Sequence, residues 1–462
     1  MYFMENENKK LLEKTTTRRG LQNRHIQLIA IAGTIGTGLF LGAGKSISLT
    51  GPSILFVYAI IGILMFILLR AIGEMLYTDT EQHSFLNFVS RYLGAKTGYF
   101  AQWSYWLVVI FMAMAELTAI GNYLAYWFPH TPAWLMEVIV LVLLTGLNTL
   151  NARFFGETEF WFAMIKVVAI LGLILTAVIL IFAQYRHGSD VVSLSNISNH
   201  FQFFPKGVGN FFASFQMVMF AFVGMEFIGM TIAETNNPRP TLVKAVNQLP
   251  IRIILFYVGA LIAIMSIYHW QSIPANKSPF VMIFQLIGIK WAAALVNFVV
   301  LTSAASALNS CLFSSARNLY SLSTIHKDRF ARPFTKLSKS AIPLNALLFI
   351  SVLVLAAPLI SSFQATASAF NMITSVATDL FLAVYILTLF TFLRFRKSKD
   401  FLPDGFILPA AKIFVPIAIV GFCLIFVSLF FFKDTRIPAL GTILWIIVFG
   451  MVSRVRKSKI EL

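Results

Sequence analysis

The chain has 462 residues, of which 58% are hydrophobic and 12% charged; an ordinary soluble domain carries about 25% charged residues. A soluble chain of this length would divide into about three polar-surfaced domains, and too few polar side chains exist to cover them. Composition therefore excludes a water-soluble enzyme, a disordered protein and a disulfide scaffold, and leaves a polytopic membrane protein. Cys311 and Cys423 lie far apart in apolar stretches and read as core filler. Residues 5–25 are charged and polar, unlike a secretory signal, so the first apolar segment is expected to stay in the membrane.

A helix needs about 20 apolar residues to cross the hydrocarbon core. Twelve segments qualify, near 26–48, 53–77, 98–128, 133–151, 158–184, 208–233, 249–271, 290–322, 342–362, 366–394, 408–432 and 437–453. Segment 279–289 is too short to span and is expected to lie at the interface. No segment alternates over ten residues, which argues against a β-barrel. Basic residues set the orientation. With the N-terminus in the cytoplasm, the inner side collects Lys9, Lys10, Lys14, Arg18, Arg19 and Arg24, then Arg317 and the cations of the 327–339 loop. Arg394, Arg396, Lys397, Lys399 and the 454–459 cluster join them. The outer side holds only Lys45, Arg186, Lys206, Lys277, Lys290, Lys433 and Arg436. The positive-inside rule thus places both termini in the cytoplasm. It also accounts for most of the net charge of +17. The basic loops lack aromatic interleaving, so no nucleic-acid partner is expected.

Span one contains Gly33-Thr34-Ile35-Gly36-Thr37-Gly38 near its middle. Each glycine costs about 1 kcal/mol relative to alanine inside a helix. Close helix packing explains such a run; so does an unwound segment whose free N–H groups bind an anion. Span six reads Phe220-Ala221-Phe222-Val223-Gly224-Met225-Glu226, with Gly229 beyond. Two interrupted spans, five apart, favour the second explanation. They point to repeats of spans 1–5 and 6–10, inverted because each has an odd number of spans, with a binding site at the midplane.

These residues carry a resemblance. GTIGTGLFLG (33–42), FGETEFWFAMIK (155–166), FAFVGMEFIGMTIAETNNP (220–238) and NFVVLTSAASALNS (297–310) are similar to the amino acid–polyamine–organocation superfamily, in its branch of proton-coupled bacterial amino acid permeases. The likeness to permeases of D-serine, D-alanine and glycine extends through GAGKSISLTGPSILFVY (42–58) and LPIRIILFYVGALIAIMS (249–266). It implies an all-α fold of five plus five inverted spans, with discontinuous helices 1 and 6 and two extra C-terminal helices. The expected division is a cytoplasmic tail (1–25), a first repeat (26–184), an inverted repeat (208–394), spans 11–12 (408–453) and a cytoplasmic C-terminal tail (454–462). The resemblance further implies that N–H groups of Ile35, Gly36, Thr37 and Gly38 hold a substrate carboxylate, and that carbonyls of Phe220, Ala221 and Val223 hold its ammonium. No cofactor or metal is implied.

Ionisable residues inside a bilayer are functional candidates by default. Lys166 lies roughly 12 Å into span five, too deep for a simple snorkelling lysine. By resemblance it takes the place of a sodium ion beside helix one, braces the GTIGTG carbonyls and loosens them when it loses its proton. Glu226 is either a hydrogen-bonding partner of unwound backbone or, by resemblance, a substrate- or proton-linked carboxylate. Glu234, roughly 80° around the helix from it, lines the inner vestibule or is a solvated helix end. Glu116 has a proton-linked or structural role, or belongs to a buried ion pair. Asp379 is unexplained by the resemblance; it faces the pocket or pairs with Thr378 or Thr374. Ser303 and Ser306 are candidates for the substrate or ion route in a span otherwise rich in small packing residues. Trp103, Tyr105, Trp106, Trp127 and Trp134 read as interface anchors near span ends.

Secondary transport of small neutral amino acids, by proton symport, is the leading expectation. A membrane enzyme lacks support, since the seven histidines do not cluster and no HExxH or GxSxG pattern occurs. A nutrient sensor would add a signalling tail, and a channel would not need broken helices.

Overall fold

The computed structural model describes residues 34–455, apart from 83, 150–152, 188–189, 200, 228, 230–231, 233–236, 287–289, 327–330 and 339–341. Helices α1 (Thr37–Phe40) and α2 (Gly42–Thr50) make up the described part of span one. Next come α3 (Ile54–Thr78), α4 (Leu86–Leu93), α5 (Ala95–Leu124), α6 (Ala133–Asn148) and α7 (Arg153–Phe182). A two-residue hairpin, β1 (Arg186–His187) and β2 (Asp190–Val191), precedes the short α8 (Ser195–Ser198). Helix α9 (Gly207–Phe222) ends at a break, followed by a 3-10 turn over Met225–Phe227. Then follow α10 (Pro238–Ile267), α11 (Pro279–Leu286), α12 (Lys290–His326), α13 (Leu344–Val354), α14 (Ala356–Phe363), α15 (Thr366–Phe395), α16 (Ala411–Ser428) and α17 (Lys433–Val455).

Among the described residues, ten helical runs are long and apolar enough to cross a membrane, with Gly42–Thr78 forming one of them. The apolar helices carry hydrophobic side chains all round, as helices without a water-facing side must. Burial then sorts them. In α5, 78% of the most apolar window is buried, against 22% in α17, so α5 is central and α17 is at the rim. Helices α12, α15, α4 and α6 pack around α5, while α3 and α10 pack together beside α9. Pro250, Pro416 and Pro438 lie inside α10, α16 and α17. Each removes one backbone donor, which neighbouring helices and side chains make tolerable in a membrane.

Helices 1 and 6 are both discontinuous. Helix 1 bends at Ile35–Gly36, where Gly36 is extended, and turns again at Leu41 before α2. Helix 6 stops at Val223, which is extended, and Gly224 follows with φ of 102°. That left-handed backbone favours glycine, because any Cβ would clash with its own carbonyl. The breaks touch. A Cβ on Gly38 would lie 2.6 Å from the Ala221 Cα and 2.9 Å from its N.

The 279–289 segment packs against the bundle. Over its described part, α11, Phe280, Val281 and Ile283 are buried. Phe280 meets the Phe40 ring at 4.8 Å between centroids, and the Ser278 hydroxyl donates to the Phe40 carbonyl at 2.7 Å. The segment thus caps the junction of α1 and α2. Lys45 pairs with Asp434 at 3.3 Å, and at the other end Lys96 donates to the Arg454 carbonyl at 2.6 Å.

A methyl group at Gly38 should push the breaks apart. Gly38→Ala is expected to destabilise the fold by about 1–3 kcal/mol, the range for overpacking. Gly146→Ala, with open space around it, should leave stability unchanged or raise it by up to about 1 kcal/mol. Thermal unfolding of the two purified variants, followed by size-exclusion chromatography, compares them.

A buried polar centre at the two helix breaks

Glu116 reaches helix 1 from the middle of α5. The Thr37 hydroxyl donates to its Oε1 at 3.1 Å, and the Thr37 backbone N–H points at the same carboxylate. Gly36 leaves the space: a Cβ there would sit 3.0 Å from Glu116 Oε1. Lys166, only 1% exposed on α7, acts on the Glu116 carboxylate as its opposite charge. Three elements far apart in sequence thus converge on one buried ionic group. A buried carboxylate needs donors or an opposite charge in place of its water, or else it must bind a proton. Glu116 and Lys166 are thereby coupled electrostatically beside the glycines of helix 1.

Glu226 occupies the second break. The Gly224 N–H donates to its Oε2 at 3.0 Å, and the Tyr105 hydroxyl approaches Oε1 at 3.5 Å. The Tyr385 hydroxyl stands beside it, outside strict hydrogen-bond geometry. Glu226 therefore gathers the 3-10 turn, α5 and α15 around one carboxylate.

Tyr257 of α10 joins the two breaks. Its hydroxyl lies 2.9 Å from the Thr34 carbonyl and 2.6 Å from the Ala221 carbonyl. Its ring is held by Tyr58, edge-on at 5.6 Å, and by Phe222 at 5.2 Å. Several backbone groups expected to meet a ligand already have internal partners here. Ala221 O accepts from Tyr257, Phe220 O accepts from the Val223 N–H at 3.3 Å, and the Thr37 N–H faces Glu116. Ile35, Val223 and Gly38 lie at the same junction.

The remaining expected residues scatter. Ser303 and Ser306 are buried on α12, which packs on both α1 and α5. Among the described residues the Ser303 hydroxyl has no hydrogen-bond partner. Asp379 is fully buried on α15, and neither of its oxygens has a hydrogen-bond partner among the described residues. The expected pairing with Thr374 or Thr378 is not found. Those hydroxyls donate instead to the Asn371 and Thr374 carbonyls at 3.0 and 2.8 Å, and Gln216 Nε2 lies 3.4 Å from each. Glu234 lies outside the described residues.

Three of the five aromatic residues expected at span ends divide differently. Tyr105 is 1% exposed at Glu226, and the Trp106 ring N–H donates to the Ser315 carbonyl at 3.2 Å inside the bundle. The reason is helix length: α5 begins at Ala95, so these residues sit more than two turns inside it. Trp103 is half-buried against Trp106. Trp134 lies in the first turn of α6, and Trp127 just past the end of α5. Tyr257 and Tyr385 are not among the residues that the sequence singles out. The signal was there, since tyrosines belong at span ends and each of these lies well within an apolar run.

At the end of the bundle carrying the 396–408 loop, a second charged cluster fixes α3 to α15. Arg396 Nη2 donates to Glu74 Oε2 at 2.8 Å and to the Leu408 carbonyl at 2.8 Å, while the Leu408 N–H donates to Glu74 at 2.6 Å. Arg91 pairs with Asp400 at 3.1 Å and Asp79 at 3.4 Å. Tyr92 donates to Asp400 at 2.7 Å; burial and then this acceptor push its phenol up to about 12, so it stays a donor at any physiological pH.

The Tyr257 bridge predicts a contrast. Tyr257→Phe keeps the ring and removes the proton shared by the two breaks, so stability should fall by about 1 kcal/mol. Tyr58→Phe removes a buried hydroxyl that has no hydrogen-bond partner among the described residues, and stability should hold or rise. Thermal shifts of the two purified proteins test this pair.

Comparison with known proteins places this arrangement. The family model described as amino acid permease matches residues 25–459. The chain is 70% identical to the DL-alanine permease SerP2 of Lactococcus lactis subsp. cremoris over 98% of this chain and 99% of that protein. It is 60% identical to the serine permease SerP1 of the same organism, over 95% and 98%. With the D-serine/D-alanine/glycine transporter of Escherichia coli K12 it shares 44% identity over 94% and 93%. The chain belongs to the amino acid permease family.

Proposed function

We propose that this chain imports small neutral amino acids, namely alanine, serine and glycine including D-isomers, by proton symport with alternating access. The observation that carries this reading is the meeting of two helix breaks around buried, partly opposed charges. Irregular backbone at membrane depth needs a protein-lined setting, and the Gly38–Ala221 contact with Glu116, Lys166 and Glu226 around it supplies one. The substrate class rests on the three relatives, whose names speak of alanine, serine and glycine. A substrate carboxylate would sit on the N–H groups of residues 35–38 and its ammonium on carbonyls of 220–223, since helix N-termini attract anions and free carbonyls attract cations. Lys166 and Glu116 would carry the coupling proton, with Glu226 and Glu234 further along the route. Glu226, held between Tyr105 and Tyr385, would close the path on one side and part from them when it opens.

The accompanying architecture is twelve spans. Repeats 26–184 and 208–394 are inverted, followed by spans 11–12 over 408–453, with tails 1–25 and 454–462 in the cytoplasm. A lysine in place of a sodium ion, as the resemblance implies for Lys166, supports protons over sodium.

Counterflow in proteoliposomes with labelled L- and D-alanine, L- and D-serine and glycine should give exchange, while a large aromatic amino acid should not. Exchange of aromatic substrates alone would move the assignment to another neutral amino acid permease. Binding without exchange would make the protein a sensor. Uphill uptake should collapse with a protonophore and persist without sodium. Lys166→Ala should abolish pH-driven accumulation; unchanged accumulation would refute its coupling role.

A further inference from the structure

Helix α15 carries an unusual outer face. Leu387, Phe390, Leu393, Arg394 and Lys397 line one groove, closed on its other side by Leu93 from the end of α4, with a volume of about 510 Å3. Leu387, Phe390 and Arg394 are spaced by three and four residues and so share a side of the helix. The lining changes character along the axis, from hydrocarbon at Leu387 to a guanidinium at Arg394, roughly 10 Å further. Lys397 extends the cationic end into the turn beyond α15. Phe390, Arg394 and Lys397 are exposed.

The charges in this groove are available. Neighbouring cations are consumed: Arg396 by Glu74, and Arg91 by Asp79 and Asp400. Among the described residues, no carboxylate lies within ion-pairing distance of Arg394 or Lys397. An apolar channel that ends in two uncompensated cations at a membrane boundary matches the profile of an anionic phospholipid, acyl chain first and phosphate last. Basic pockets between transmembrane helices at the membrane surface take such headgroups.

We propose that the groove between the ends of α4 and α15 binds an anionic phospholipid, with its phosphate on Arg394 and Lys397 and an acyl chain along Leu387, Phe390 and Leu393. The same helix carries Tyr385 to Glu226 and Arg396 to Glu74. A lipid held on its outer face therefore rests on the helix that forms one wall of the polar centre. The site depends only on the chain spanning a membrane and not on which solute it moves.

The test uses the full-length protein in nanodiscs of equal parts phosphatidylcholine and phosphatidylglycerol, with retained lipid counted by native mass spectrometry. Wild type should retain phosphatidylglycerol preferentially. The Arg394→Gln/Lys397→Gln double variant should lose roughly tenfold or more of that preference, since each cation near the surface contributes about a fivefold factor. Lys399→Gln, an exposed cation outside the groove, should behave as wild type. Millimolar inorganic phosphate should not displace the lipid, which separates a lipid site from a phosphate site. Undiminished preference in the double variant, no preference in wild type, or displacement by free phosphate would each overturn the proposal. Because the readout needs no transport, its failure is distinguishable from failure of the proposed substrate or coupling ion.

Discussion

The contact between the two helix breaks is the constraint on which the rest of the polar centre depends. Gly38 lets helix 1 lie against the backbone of Ala221, closer than any side chain would allow. Gly224 adopts the backbone that ends α9 just beyond. Once the chain is unwound at both places, its peptide groups lose their partners within the helix, and a membrane provides no water to replace them. The surrounding helices must supply those partners. Tyr257 does so from α10, and Thr37 and Glu116 do so between α1 and α5. Because the breaks touch, a single tyrosine reaches carbonyls from both.

Buried charge follows from the same geometry. Glu116 and Glu226 each stand at a break, where N–H groups released from helical pairing can face a carboxylate. Lys166 adds a cation beside the first. The second has phenol hydroxyls instead. The two acids thus differ in kind: one is balanced by a full charge, the other by dipoles. Among the described residues, Asp379 has neither.

Much of this was legible in the sequence. The apolar helical runs followed from hydropathy, ten of them membrane-length among the described residues, because a membrane-crossing helix has no polar face to disguise it. The breaks followed from glycine at Gly36, Gly38 and Gly224, since glycine in the middle of an apolar helix has a conformational cost that calls for a reason. The depth of Tyr257 and Tyr385 was legible, but the partners of these two tyrosines and of Tyr105 were not. Their function depends on which way a helix is turned, and an all-apolar helix carries little periodic signal to fix its rotation. Tyr105 was further obscured because the boundary of α5, a turn earlier than hydropathy placed it, moved it from span end to interior. The pairing of Asp379 with a threonine failed for a related reason. Thr374 and Thr378 satisfied themselves on their own helix and on Gln216, which lies far away in sequence.

The Tyr257 bridge has one further implication. A phenol carries a single proton, yet two carbonyls approach its oxygen, Ala221 at 2.6 Å and Thr34 at 2.9 Å. The proton is therefore shared between helix 1 and helix 6, and one torsion of a side chain on α10 sets its position. Any separation of the two breaks must lengthen at least one of these contacts, so a single hydroxyl registers the spacing of both broken helices.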